Sequence, residues 1–201
     1  CIAGIKRIAV SRQPETRVYV VLDDGSIRVY LFDPAEDVSA WSRITTDGTV
    51  EDVISLPGLI EDDIYILVSR TGGRYLEKLS KMGDSLEQHF DSALALTSPG
   101  TTITGLDHLE GKTVGVWADS QDRGTYSVAS GSITVTDSWT AVVVGLTYVA
   151  SYKSNKLSGY KPGSSQGRRK RVSDLNLSMV DYWPGALEYG PSFDLLEAMP
   201  L

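Results

Sequence analysis

One pentapeptide carries the residue types of a hydrolase nucleophile. Residues 163–167, Gly-Ser-Ser-Gln-Gly, fit the G-x-S-x-G pattern, in which a sharp turn between a strand and a helix presents the serine. Loop-like and strand-like sequence follows Ser165 instead of a helix. Both histidines, His89 and His108, precede the serine and have no motif around them, although other chain orders of a triad are known. We therefore predict that Ser165 is not a nucleophile.

A second stretch ends like a phosphate-binding loop. Gly111, Lys112 and Thr113 match the end of that motif, but five residues separate Gly105 from Gly111 where the motif has four. A phosphate loop must also open a helix, whose amino-terminal amides bind the phosphate, whereas the strand-like run TVGVWAD follows here. The sequence predicts a turn that leads into a strand.

The remaining polar and aromatic side chains show no catalytic arrangement. Two histidines and one cysteine lack zinc-ligand spacing. The acidic pairs Asp23-Asp24 and Asp62-Asp63 fall at predicted turns, where aspartate is favoured for its backbone hydrogen bonds. We predict that the chain is not an enzyme and has no catalytic residue, metal or cofactor. Binding of a sugar to exposed aromatic side chains is the alternative, and its candidates are the four tryptophans (Trp41, Trp117, Trp139 and Trp183).

Charge is unevenly distributed along the chain. The net charge is −7, yet residues 151–173 contain seven basic residues and no acid, which leaves 12 basic against 26 acidic residues, a net −14, in the remainder. Four of the basic residues are consecutive: Arg168, Arg169, Lys170 and Arg171. Three interpretations of this basic run stay open, namely an exposed strand end, a contact with a neighbouring subunit, or a contact with DNA phosphates. An acidic body repels nucleic acid at long range, so bulk DNA binding is not expected.

Length and composition are those of an ordinary soluble globular protein. The 201 residues suffice for one large domain or two small ones, with 41% apolar and 22% charged residues. No apolar stretch approaches the roughly 18 residues that span a bilayer, so no membrane-spanning segment is predicted. One cysteine permits no internal disulfide. We expect no signal peptide, and we expect the chain, which begins at Cys1, to be a piece of a longer protein.

The first part of the chain has the pattern of antiparallel β-structure. Residues 17–32 predict a hairpin, because Asp24-Gly25 supplies a tight turn between runs rich in valine and tyrosine. Further turns are predicted at Asp33-Pro34, at Asp47-Gly48 and at Thr71-Gly72-Gly73. This turn spacing favours an all-β sandwich, barrel or propeller. We predict an antiparallel β unit over residues 1–82.

The rest of the chain divides into three segments. Residues 83–100 form a connecting segment whose propensities suggest a short helix. Residues 101–150 predict a compact β-module inserted after the first unit. In it, Ile133 and Val135 mark a half-buried strand, and residues 139–152 an interior one. Residues 151–201 predict a polar, basic loop and a strand at 171–182 that returns to the first unit. Little helix is expected anywhere.

Several stretches in order carry a family resemblance. They include QPETRVYVVLDDGSIRVYLF within residues 13–53, TTITGLDHLEGKTVGVWAD at 101–119, VASGSITV at 128–135, VVVGLTY at 142–148, GSSQGRRKRVSDLNLSM at 163–179 and YGPSFDLLEAMPL at 189–201. Together they cover most of the chain and resemble the tail nozzle (tail tubular protein B-like) family of short-tailed bacteriophages and related prophage tail proteins. The family usually has a proline near position 147, where this chain has Thr147. It also implies an extended segment at 86–96, which we prefer to the helix.

The resemblance implies a structural subunit of a viral tail nozzle or tube. Such subunits are mostly β, and they form a ring around a channel through which double-stranded DNA is ejected. They have a propeller-like part and an inserted small barrel, which implies a propeller-blade-like unit at residues 1–82 and a small β-barrel-like module at residues 101–150. The implied partners are further copies in a ring homo-oligomer (a hexamer is one option), a head–tail adaptor protein and tail fibres. The implied location is the virion, in the phage tail, after assembly in the host cytoplasm. The alternative is a receptor- or carbohydrate-binding tail module without a conduit role.

Overall fold

A computed structural model describes residues 3–81, 90–154, 177 and 186–199. Within these ranges the chain is all-β, as predicted, with fifteen strands and one 3-10 helix at Asp107–Leu109. The strands are β1 Ile5–Ser11, β2 Thr16–Leu22, β3 Ile27–Asp33, β4 Val38–Ile44, β5 Thr49–Leu56, β6 Asp63–Arg70, β7 Gly73–Lys78, β8 Asp91–Thr97, β9 Thr102–Thr104, β10 Thr113–Ala118, β11 Gln121–Ser127, β12 Ser132–Thr134, β13 Ala141–Leu146, β14 Glu188–Ser192 and β15 Leu195–Ala198.

Strands β1–β7 form the first lobe, which consists of two antiparallel meanders. One sheet has the order β1-β2-β3-β4 and the other β5-β6-β7. Alternate side chains of each strand point to opposite sides of its sheet, and the inner sides of both sheets share one buried core. Valine and isoleucine dominate that core, which contains Tyr19, Val21, Ile27, Val29, Val50, Val53, Ile64, Ile66 and Val68. The outer face of each sheet points away from this core.

Strands β8–β13 form the second lobe around a separate core. A four-stranded sheet with the order β11-β10-β13-β8 and a two-stranded sheet of β9 and β12 enclose buried side chains that include Ile103, Leu109, Val116, Ile133 and Val144. The prediction for Ile133 and Val135 is confirmed, because both are buried on one side of β12 and its extension. The interior strand predicted at 139–152 is shorter: β13 is interior but ends at Leu146, and Tyr148, Val149 and Tyr152 beyond it are exposed. Asp91–Leu96 is extended rather than helical, and β8 pairs with β13.

The outcome for the finer architecture is mixed. The described strands do not close into a barrel, so the finer, barrel-like form expected for the second lobe is not confirmed. Its two sheets share a core, but no hydrogen-bonded ladder joins them. A complete propeller is not confirmed either, since the first lobe contains one four-stranded and one three-stranded meander. Within the described residues no helix is long and apolar enough to cross a bilayer.

Residues 149–201 belong to a second compact unit. Its described part contains the hairpin of β14 and β15, in which Glu188 pairs with Ala198 and Ser192 with Leu195. Lys153 lies over the ring of Phe193, 5.7 Å from its centroid. The predicted strand at 171–182 lies outside the described residues except for Leu177. That residue is 46% exposed.

Candidate interaction surfaces

The residues first proposed for binding or catalysis fall largely outside the described ranges. This holds for the basic run Arg168-Arg169-Lys170-Arg171, for the pentapeptide at 163–167, for His89 and for Trp183. Their predictions therefore stay predictions. Among the described residues, the remaining candidate sites are the phosphate-loop-like stretch, the acidic pairs, the junction of the two lobes and the exposed apolar side chains.

The phosphate-loop-like stretch has a structural role. Leu106 and Leu109 are buried in the core of the second lobe, and strand β10 follows at Thr113, which confirms the predicted turn into a strand. The carboxylate of Glu110 accepts hydrogen bonds from the Ser130 amide at 3.0 Å and from the Gly131 amide at 2.7 Å. Lys112 pairs with Asp47 at 2.8 Å.

Asp24 stabilises its own turn, as predicted, whereas Asp62 binds the loop between β1 and β2 and Asp63 begins β6. Asp24 accepts hydrogen bonds from the hydroxyl and the amide of Ser26, at 2.6 and 2.9 Å, and these bonds lower the pKa of Asp24. Asp62 accepts from the Arg12 amide at 2.7 Å and from the Gln13 amide at 3.3 Å, and these bonds lower its pKa. A carboxylate bound to backbone amides is stabilised in its charged form. In the described part of the chain no three metal-ligating side chains converge.

An ionic cluster joins the two lobes. The guanidinium of Arg70, whose side chain is 3% exposed, donates two hydrogen bonds to Glu77, each at 2.8 Å, one to the Thr46 hydroxyl at 2.8 Å and one to the Asp47 carbonyl oxygen. Asp91, at the start of β8, accepts from Thr46 and lies 4.0 Å from Arg70. Burial opposes the charge of Arg70, but the hydrogen bonds and charge of Glu77 outweigh it, and the pKa of Arg70 is raised. Every charge in the cluster has a partner, which indicates that the cluster stabilises the junction of the two lobes.

The outer face of the first sheet carries a row of aromatic rings, here called the aromatic face. Tyr30 on β3 lies directly opposite Trp41 on β4, with ring centroids 4.9 Å apart, and stacks on Phe32 at 6.3 Å. The hydroxyl of Tyr30 is 2.8 Å from that of Ser39. Trp41 is 62% exposed, and Phe32 is also exposed. Strand β1 extends the face with exposed Ile8 and Val10, so the apolar surface crosses the whole sheet.

A second apolar surface lies on the other sheet and the loop beside it. This aliphatic surface consists of exposed Ile54 and Leu56 on β5, Leu76 on β7, and Leu59 and Ile60 in the loop between β5 and β6. Contiguous exposed apolar surface of this kind marks interaction sites, whereas single exposed apolar residues do not. The first lobe thus presents exposed apolar surface on both of its sheets.

The described tryptophans differ in their exposure to solvent. Of those described, Trp41 is exposed, whereas Trp139 is buried against the second core with the Arg123 guanidinium 5.3 Å from its ring centroid, and Trp117 is half-buried. Neither apolar surface was predicted from the sequence. A signal was present, because β3 reads IRVYLFD and has apolar residues on both of its sides. Such a strand has either an interior position or a second contact surface.

Comparisons with known proteins add no identification. A scan against protein-family models and a search of curated proteins find no match to this chain.

Proposed function

We propose that the chain is a structural subunit of a phage tail nozzle or tube, which assembles with further copies into a ring around a conduit for double-stranded DNA. The observation that carries this proposal is the pair of different exposed apolar surfaces, one on each sheet of the first lobe. When two different surfaces of one subunit bind each other, each copy can bind two neighbours, and such contacts generate rings if the rotation closes.

Two further features support the proposal. The first lobe consists of antiparallel meanders, which are the units that propellers repeat. The sequence outside residues 151–173 carries a net −14, and a mostly negative channel would let DNA phosphates pass without binding them. In this function the basic run 168–171 would contact a neighbouring subunit or slow the passing DNA locally. A head–tail adaptor and tail fibres would be the other partners within the virion.

A receptor- or carbohydrate-binding tail module is the second candidate. The aromatic face favours it, because a row of exposed rings can stack on sugars while Tyr30 and Ser39 provide hydroxyl groups. The two functions make different use of the same rings. In a ring subunit they would be covered by another copy, and in a binding module they would stay free in a monomer.

Sedimentation velocity over a wide range of protein concentration separates the two functions. The proposed subunit should shift from monomer to a closed, larger species as concentration rises. A chain that stays monomeric and binds glycans saturably, with the binding lost in Trp41→Ala, would contradict the conduit function and support the alternative.

A further inference from the structure

The aromatic face has an unbalanced positive charge at one end. Arg28 on β3 lies directly opposite Arg43 on β4, on the same side of the sheet as Tyr30 and Trp41. Like charges opposite each other destabilise a strand pair. The carboxylate of Asp24, whose pKa is lowered mainly by Ser26 and further by these two arginines, compensates one of the charges. One positive charge is left beside the rings, and it fits an anionic group on a partner.

The loop between β5 and β6 is an anchored projection with complementary features. Its tip carries the fully exposed Leu59 and Ile60, and Glu61 follows directly. Two bonds hold its base: the Asp62 carboxylate accepts from the Arg12 amide at 2.7 Å, and the ammonium of Lys81 donates to the Glu61 carbonyl oxygen at 2.9 Å. Among the described residues the Glu61 carboxylate has no hydrogen-bond or ion-pair partner. A projection that is already ordered loses little entropy on binding.

We propose that this loop of one copy docks on the aromatic face of the next copy. Leu59 and Ile60 pack on the rings of Trp41 and Tyr30, and Glu61 supplies the negative charge that the Arg28–Arg43 pair lacks. The two surfaces differ, so the contact is heterologous and gives every copy one donor loop and one acceptor face. The inference deepens the proposed function, since it rests on self-association and identifies the contact that produces it.

The size of the face limits the strength of this contact. Four strands of seven residues, spaced about 4.8 Å apart with a rise of about 3.3 Å per residue, span roughly 14 by 20 Å, or about 300 Å² in plan. Stable interfaces bury about 800 Å² per partner. The contact alone therefore gives weak, concentration-dependent association, and a closed ring requires additional surface from the rest of the subunit.

Variants of the two surfaces test the proposal by sedimentation velocity from about 1 µM to about 1 mM protein, the range in which contacts of this size associate. Trp41→Ala should weaken association at least about 30-fold, as the loss of a central aromatic anchor does. Glu61→Arg should weaken it about fivefold, the range of an exposed ion pair, and should do so less at high salt. Combining Glu61→Arg with Arg43→Glu should restore most of that loss. Asp137→Arg and Tyr152→Ala are the matched controls, because both side chains are exposed and lie outside the two surfaces.

The outcomes separate this contact from the proposed function. Rings that form unchanged in Trp41→Ala and Glu61→Arg would overturn the contact and leave the ring subunit standing. Dimers or open filaments that respond to the variants and to the charge exchange would support the contact and contradict the ring. A wild-type chain that stays monomeric up to 1 mM contradicts both. Glycan binding that is lost in Trp41→Ala while association is unchanged would also overturn the contact and would favour the sugar-binding function.

Discussion

Replacement of Arg70 by methionine should destabilise the protein strongly. The side chain is 3% exposed and makes two 2.8 Å hydrogen bonds to Glu77 and one to Thr46. Methionine fills similar space but leaves the Glu77 carboxylate and the Asp47 carbonyl oxygen without their donor. Removal of one partner from a buried ion pair costs about 3–5 kcal/mol. Glu77 is 19% exposed and regains some hydration, so we expect about 3 kcal/mol.

The loss should be measured as a change in the free energy of unfolding by denaturant and as a change in Tm. For a chain of this length, about 3 kcal/mol corresponds to a Tm lowered by about 6–12 °C. Arg74→Met is the matched control, since Arg74 pairs with Glu51 at 2.7 Å but is 69% exposed, and its Tm should be almost unchanged. Equal effects of the two substitutions would refute the role assigned to the buried cluster.

Three further perturbations have expected outcomes. Hydrogen bonds from the amides of Ala141 and Thr140 lower the pKa of Asp119. The resulting stabilisation is present above about pH 4 and is lost as pH falls through the lowered native pKa. Asp119→Asn should therefore be less stable than wild type at neutral pH and equally stable in acid, and a pH-independent difference would contradict this. Gly145→Ala should cost about 1–3 kcal/mol, because the added Cβ would lie 2.6 Å from that of Phe90; a Tm equal to wild type would argue against this contact. Replacing all of Arg168–Arg171 by serine should leave the subunit folded but weaken assembly at low salt. Normal assembly at every salt concentration would exclude an inter-subunit role, and DNA binding that falls with salt at a slope near −3.6 in wild type would indicate about four phosphate contacts instead.

Local turn chemistry predicted the hairpins but not the sheets to which they belong. Asp24-Gly25 and Thr71–Gly73 connect paired strands as expected. A turn is also predicted at Asp47-Gly48, but this turn does not connect paired strands. It joins β4 of the first sheet to β5 of the second sheet. A turn motif fixes the direction of a few residues, whereas the choice of sheet depends on distant packing. The ionic cluster at Arg70 could not be predicted from the sequence either, because the residues that bind Arg70 lie 7 to 24 positions away in the chain.

Proline does not prevent strand pairing at the end of the chain. Pro191 lies within β14 of a two-stranded ribbon, most residues of which are exposed. Edge strands tolerate proline because one side of the strand needs no ladder donor. The aromatic face was missed for a different reason. Apolar residues on both sides of β3 suit an interior strand and an exposed contact surface equally, and the neighbouring sheet decides between them.

The central claim is that copies of this subunit assemble into a ring around a channel. Electron micrographs of the purified protein, taken over a range of concentrations and sorted into class averages, test it most directly. We expect the class averages to show closed rings with a central hole wide enough for duplex DNA, and the fraction of rings to rise with protein concentration. Compact single particles without a hole at every concentration would contradict it.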